Sequence, residues 1–131
     1  MSYAKVRKLA KNYYKLERLL YFYEDILNKK TFFINKDKLN KDYKKFCKTI
    51  RYMNIYKAVF SKSLKELSKE DAFIVREIYI KGKSVCNVAF KNYISDSTVY
   101  RILKKFNFIF FNNMKKVSRI VDILYKEIKE N

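Results

Sequence analysis

Proline is absent from this chain of 131 residues, glycine occurs once, at Gly82, and histidine and tryptophan do not occur at all. Sheet folds depend on residues that fix φ or tolerate positive values at their turns. Their scarcity argues against the all-β and α/β classes and leaves long helices joined by polar turns, so the expected class is all-α. The two cysteines, Cys47 and Cys86, stand far apart with no CxxC pair. Without histidine, a Cys/His zinc site within one chain is excluded. Both cysteines read as reduced core thiols of a cytoplasmic protein. No apolar run approaches the roughly 18 residues of a membrane span, and no signal-peptide core stands at the N-terminus. Acidic residues number only 13 and fall mostly at helix ends. With no histidine and no Gly-rich phosphate loop, neither an enzyme nor a cofactor is expected.

What the chain has in excess is positive charge. Lys and Arg total 31, for a formal net charge of +18. Such an excess favours a polyanionic partner, because cations that neutralise phosphates release condensed counterions. Of these residues 25 are Lys and 6 are Arg, and Lys, Ile, Phe, Tyr and Asn together make up 72 of the 131. An AT-rich genome produces the same bias, so part of the lysine excess reads as drift. Each arginine is therefore more informative than a lysine.

The apolar pattern predicts the helices. Val6, Leu9, Tyr13, Leu16, Leu20, Tyr23 and Leu27 alternate spacings of three and four, which predicts one long amphipathic helix with Ser2 as N-cap. The same stripe would allow a homodimer through a coiled-coil seam. "KKTFFINKD" interrupts the period, with Asn35 and Asp37 as candidate stop and start. The period resumes with Leu39, Tyr43, Phe46, Ile50, Met53 and Phe60, and Lys57 falls where an apolar residue is due. A kink, an end or an exit from the core is expected there. These two helices should form an antiparallel hairpin. The second carries a basic stripe of Lys41, Lys44, Lys45, Lys48 and Arg51, within a segment, 28–57, whose net charge is +8. It reads as a solvated face or as a contact to nucleic-acid backbone.

Further on, Ser68 with Asp71 nearly forms a capping box before Ala72, Val75, Ile78 and Tyr79. Gly82 follows where a left-handed residue closes a helix. Ser84 offers the next cap, and "VCNVAF" makes a short helix. After Asn92 and Tyr93 the chain turns, and Ser95 or Asp96 caps a helix bearing Val99, Ile102, Leu103 and Phe106. A last helix spans about 114–129, with Val117, Ile120, Val121, Leu124 and Ile128 inward. Whether it continues the one before it is not fixed by the pattern.

Two helices joined steeply by a three- or four-residue turn approach closely, and the crossing residue must be small. Ala89 fits that position, Ile94 fits beneath both helices, and Val99 and Ile102 hold the second helix down. Asp96, Ser97, Thr98, Tyr100, Arg101, Lys104 and Lys105 are then left on or near its outer face. A helix so displayed suits the major groove of DNA.

The residues "YIKGKSVCNVAFKNYISDSTVYRILKK" resemble the helix-turn-helix of sigma-factor region 4 and of small phage transcriptional regulators of the RinA/ArpU type. The matching positions are Tyr79, Gly82, Ser84, Ala89, Ile94, Ser95, Ser97, Thr98, Val99 and Arg101. The resemblance runs from Leu67 to about Asn113, a little over a third of the chain. It departs at Tyr93, where the family has Gly or Asn at positive φ, and at Asn92, where it has an apolar residue. A one-residue slip of the turn would exchange their roles. The resemblance implies that Ser95, Ser97, Thr98 and Arg101 face phosphates and base edges, flanked by Asp96, Tyr100, Lys104, Lys105 and Lys91. It also implies that Ser84 holds a backbone phosphate at a helix N-terminus.

The expected organisation is an N-terminal helical region over 1–62, a helix-turn-helix module over 63–113 and a C-terminal helix over 114–131. The expected function is a sequence-specific DNA-binding regulator of transcription from a phage or mobile element, with double-stranded DNA and RNA polymerase as partners. The alternatives are a helical protein-interaction factor, such as a phage-encoded inhibitor or adaptor of host machinery, and a minimal sigma-like factor.

Overall fold

The computed structural model describes residues 1–28 and 36–130, with the backbone alone at 36–42. It is all-α, and no strand occurs among the described residues. Among the described residues seven α-helices follow in order: α1 (Tyr3–Lys11), α2 (Tyr13–Asn28), α3 (Lys36–Lys65), α4 (Lys69–Val75), α5 (Val85–Lys91), α6 (Asp96–Met114) and α7 (Val121–Glu130). A π-helical turn, Arg76–Ile80, extends α4, and a 3₁₀ stretch, Lys115–Ile120, links α6 to α7. No described helix is long and apolar enough to cross a membrane.

The expected first helix is divided at Asn12, which leaves helical geometry (φ −105°, ψ 23°). Its side-chain amide donates to the Lys8 carbonyl at 2.7 Å. Asparagine competes with the helix for backbone partners in just this way. The buried Tyr56 hydroxyl donates to the Leu9 carbonyl at 2.6 Å, satisfying one of the acceptors that a helix end leaves free. Ser2 holds the N-cap position, but its side chain makes no capping bond. The stripe itself is correct: Val6, Leu9, Tyr13, Leu16 and Leu20 are buried.

α2 and α3 form the expected antiparallel hairpin. Tyr13 meets Phe60, Glu17 pairs with Lys57, and Tyr23 meets Phe46, in opposed order along the two helices. α3 runs through Lys57 to Lys65 as one helix, so the expected interruption does not occur. Tyr56 takes the core position, and Lys57 lies half-buried at the helix edge, 3.4 Å from Glu17 and over the Tyr21 ring. The expected break around Asn35 and the side chains of Asp37, Leu39 and Lys41 lie outside the described residues.

Phe60 is the centre of the core. Its ring lies 4.4 Å from Tyr13, 4.8 Å from Phe106 and 5.6 Å from Phe110. α1, α3, α4 and α6 all contribute side chains to one contiguous buried cluster, together with the C-terminal segment through Ile120, Val121 and Leu124. α6 and α7 are separate helices, divided where Val117 departs from helical geometry (φ −130°, ψ 35°). α7 packs on α1, α2 and α3. Tyr23 donates to Glu127 at 2.6 Å, and Lys15 donates to the Ile128 carbonyl at 2.7 Å.

Candidate nucleic-acid interface

Serine caps set out the elements from α4 to α6. Ser68 accepts from the Asp71 amide at 3.2 Å, Ser84 from the Asn87 amide at 3.1 Å and Ser95 from the Thr98 amide at 3.1 Å. Each satisfies an orphan donor in a first turn. The extended α4 ends in a bulged turn, with Lys81 N–H donating to the Arg76 carbonyl and Lys83 N–H to that of Glu77. Gly82 takes φ +73° there, as expected of a chain-reversing glycine.

The α5–α6 corner closes on its backbone. Ile94 N–H donates to the Ala89 carbonyl at 3.1 Å, and Tyr93 N–H to that of Phe90 at 3.3 Å. That pair of bonds is the Schellman motif. The residue at its left-handed position is Tyr93, with φ +57°. The alternative register, in which Tyr93 fills the apolar slot, is not adopted: its side chain is 96% exposed. Asn92 is half-buried, and its amide donates to the Val88 carbonyl at 2.8 Å. Ala89 is buried at the crossing beside Val88, Val99, Ile102 and Leu103, and Ile94 packs partly buried against them.

With that inner face committed, the outer face of the first turns of α6 is free. Ser95, Asp96, Ser97, Tyr100, Arg101, Lys104 and Lys105 are exposed, as are Ser84 and Lys91 on and beside α5. Thr98 is half-buried, and its hydroxyl meets Ser95 Oγ at 2.9 Å. It thus belongs to the cap as much as to the outer face. Arg101 makes no ion pair among the described residues, whereas Lys105 reaches Asp71 at 3.9 Å. Asp96 accepts from the Cys86 thiol at 3.3 Å, and this bond raises the thiol's pKa above its ordinary value. Cys86 is exposed and Cys47 half-buried, so neither is the core thiol expected.

The basic stripe belongs to a different part of the molecule. Lys44, Lys45, Lys48 and Arg51 are exposed on the first half of α3, where Lys48 and Arg51 lie over the Tyr52 ring. At 1.5 Å per residue they lie about 20–30 Å along the axis from the end of α3, where the chain enters α4. Lys41 lies on the same helix with its side chain outside the described residues.

Sequence reasoning missed Glu77, an acid buried in the π-helical turn. Lys81 pairs with it at 2.9 Å and Lys83 pairs with its second oxygen. Hydrogen bonds from Lys83 and Lys81 hold its pKa below the usual carboxylate value against the opposing effect of burial. The signal was legible in hindsight, since lysines four and six residues on bracket the turn around Gly82. Also missed was a largely apolar cavity of about 520 Å³ between α4 and the corner, lined by Phe73, Ile74, Ile94 and Ile102, with Lys69, Glu70, Asp71, Asn92 and Thr98 at its polar side. Compared with protein-family models, with curated proteins and with solved structures, the chain matches none.

Proposed function

We propose that the chain is a sequence-specific DNA-binding regulator of transcription, of the kind a phage or mobile element encodes, acting by binding alone through a helix-turn-helix formed by α5 and α6. The observation that carries this reading is the state of Arg101. It stands exposed on the outer face of a helix whose inner face is locked by Ala89, Val99 and Ile102, and it has no ion-pair partner among the described residues. A planar guanidinium left unpaired on a rigid helix suits the O6 and N7 acceptors of guanine, or a phosphate. Ser97 and Tyr100 would extend the contact toward base edges. Ser84, Ser95 and Lys91 would position the corner on the backbone, with Lys104 and Lys105 further along α6. The stripe on α3 would add salt-sensitive, sequence-independent attraction, the term that dominates non-specific binding.

Selection of bound sequences from a random duplex pool tests the proposal. Wild-type protein should enrich a defined site. Arg101→Ala should then weaken binding to that site by about 10- to 100-fold, the range of one good bidentate contact, and leave binding to random duplex little changed.

A second reading rests on the cavity beside α4. Its apolar lining and the half-exposed ring of Phe73 suit a side chain of a protein partner, RNA polymerase among them. A folded chain that enriches no sequence supports this reading over the first.

A further inference from the structure

Lysines from two distant parts of the sequence converge on one aromatic ring. Lys5 and Lys8, on α1, and Lys129, on α7, place their ammonium groups 5.4, 5.7 and 5.1 Å from the centroid of Tyr125. Lys8 Nζ also lies 3.4 Å from the Tyr125 hydroxyl oxygen, to which it donates. Three like charges around one ring repel one another. The ring face offsets part of that repulsion through its negative quadrupole. Asp122 neutralises Lys5 at 2.9 Å. Lys8 and Lys129 have no carboxylate partner among the described residues. The neighbouring Lys126 is turned to Glu130 at 3.8 Å.

The hydroxyl reports the same field. The hydrogen bond from Lys8, with the charges of Lys129 and Lys5 behind it, lowers the Tyr125 phenol below its ordinary pKa. As Lys8 is the donor in that bond, the Tyr125 O–H proton has no acceptor among the described residues. Two ammonium groups without a carboxylate partner and one O–H donor thus gather around the Tyr125 ring at the α1–α7 seam. An acceptor-rich anion with several oxygens would satisfy all three.

We propose that the seam between α1 and α7, centred on Tyr125, is a second nucleic-acid site, which holds a backbone phosphate between Lys8, Lys129 and the Tyr125 hydroxyl. It makes no base contact and adds affinity without sequence preference. It shares a class of ligand with the α5–α6 reading but none of its residues. The two are therefore separable: Arg101 tests one, Lys8 and Lys129 the other.

The test uses the full chain and a random-sequence 30-base-pair duplex as the probe, with affinity measured by fluorescence anisotropy over a series of salt concentrations. Each phosphate neutralised contributes about 0.9 to the slope of log affinity against log salt. Lys8→Ala with Lys129→Ala should reduce that slope by about 0.9, and the wild-type advantage should shrink by about 3.5-fold between 50 and 200 mM salt. Lys8→Arg with Lys129→Arg should keep the wild-type slope. Both lysines are exposed, so the helix content of each variant should match wild type by circular dichroism. An unchanged slope in the double alanine variant overturns the site and leaves the α5–α6 proposal standing. A wild-type chain that binds no duplex overturns both. Saturable binding of inorganic phosphate at constant ionic strength, lost in the double alanine variant, would assign the seam to a free anion and overturn the nucleic-acid assignment.

Discussion

Tyr93 occupies a backbone conformation in which its Cβ crowds the carbonyl of its own residue, at a strain of about 1–2 kcal/mol for a non-glycine residue. Its ring does not repay that strain through packing, because it is almost wholly exposed. The strain is held by the two backbone bonds that close the corner and by the burial of Ala89, Val99 and Ile102 around it. Tyr93→Gly removes the crowding but loosens the unfolded chain, an opposing effect of about 0.5–1 kcal/mol. The expected net result is a gain of up to about 1 kcal/mol in urea-unfolding free energy, with α5 and α6 unchanged. A loss of stability would mean that the ring makes a contact its exposure does not reveal. Arg101 belongs to this scale too: its value as a probe comes from the absence of a competing carboxylate, which makes its removal a clean subtraction.

At the scale of elements, most of the corner was legible and most of the N-terminal half was partly so. Ser68, Ser84 and Ser95 act locally, each through a bond to the residue three positions on, as does Gly82 through its own φ, and local chemistry can be read from sequence. Ala89, Val99 and Ile102 were legible because a fixed crossing geometry demands a small residue and two apolar ones at set distances. The division at Asn12 was not legible, since the 3–4 apolar alternation passes through it without a miss. The buried hydroxyl of Tyr56, 47 residues further on, supports the Leu9 carbonyl at that division, and no local pattern announces it. Lys57 misled for a related reason: the stripe moved one position to Tyr56, and a lysine at the edge of the buried face keeps its ammonium group in reach of Glu17. Of the residues read onto the outer face of α6 all but the half-buried Thr98 are exposed, but the Tyr125 cluster was invisible, because Lys5 and Lys8 lie more than 110 residues from the ring they meet. The crossing gives the prediction for this scale. Ala89→Leu introduces three carbons where two helices touch, and overpacking of that kind lowers stability by about 1–3 kcal/mol. Chemical denaturation measures it, and the same variant should lose site-specific duplex binding together with the corner. An Ala89→Leu protein of unaltered stability would show that the helices do not meet there.

For the whole molecule, the phenols buried in the common core set a limit on alkaline stability. Burial, with Glu17 nearby, raises Tyr13 to about 12, and burial raises Tyr79 to about 12. Burial places Tyr56 well above the ordinary value of 10.0. A phenol whose folded pKa is raised stabilises the fold fully below its unfolded value and loses that contribution as pH rises through the folded one. Helix content should therefore hold to about pH 10 and fall between about pH 10 and 12, with phenolate absorbance from the buried rings rising in step. Buried phenols that ionise near pH 10 while the helices persist would contradict the packing around Phe60. The clasp between α1 and α7 bears on how the chain comes into being. Val6, Leu9 and Ala10 leave the ribosome well ahead of α7, since Asp122, which pairs with Lys5, lies 117 positions later. At about 5–20 residues per second, the first helix waits roughly 6–25 seconds for its seat, its apolar face open to any chaperone or neighbouring nascent chain that meets it in the interval.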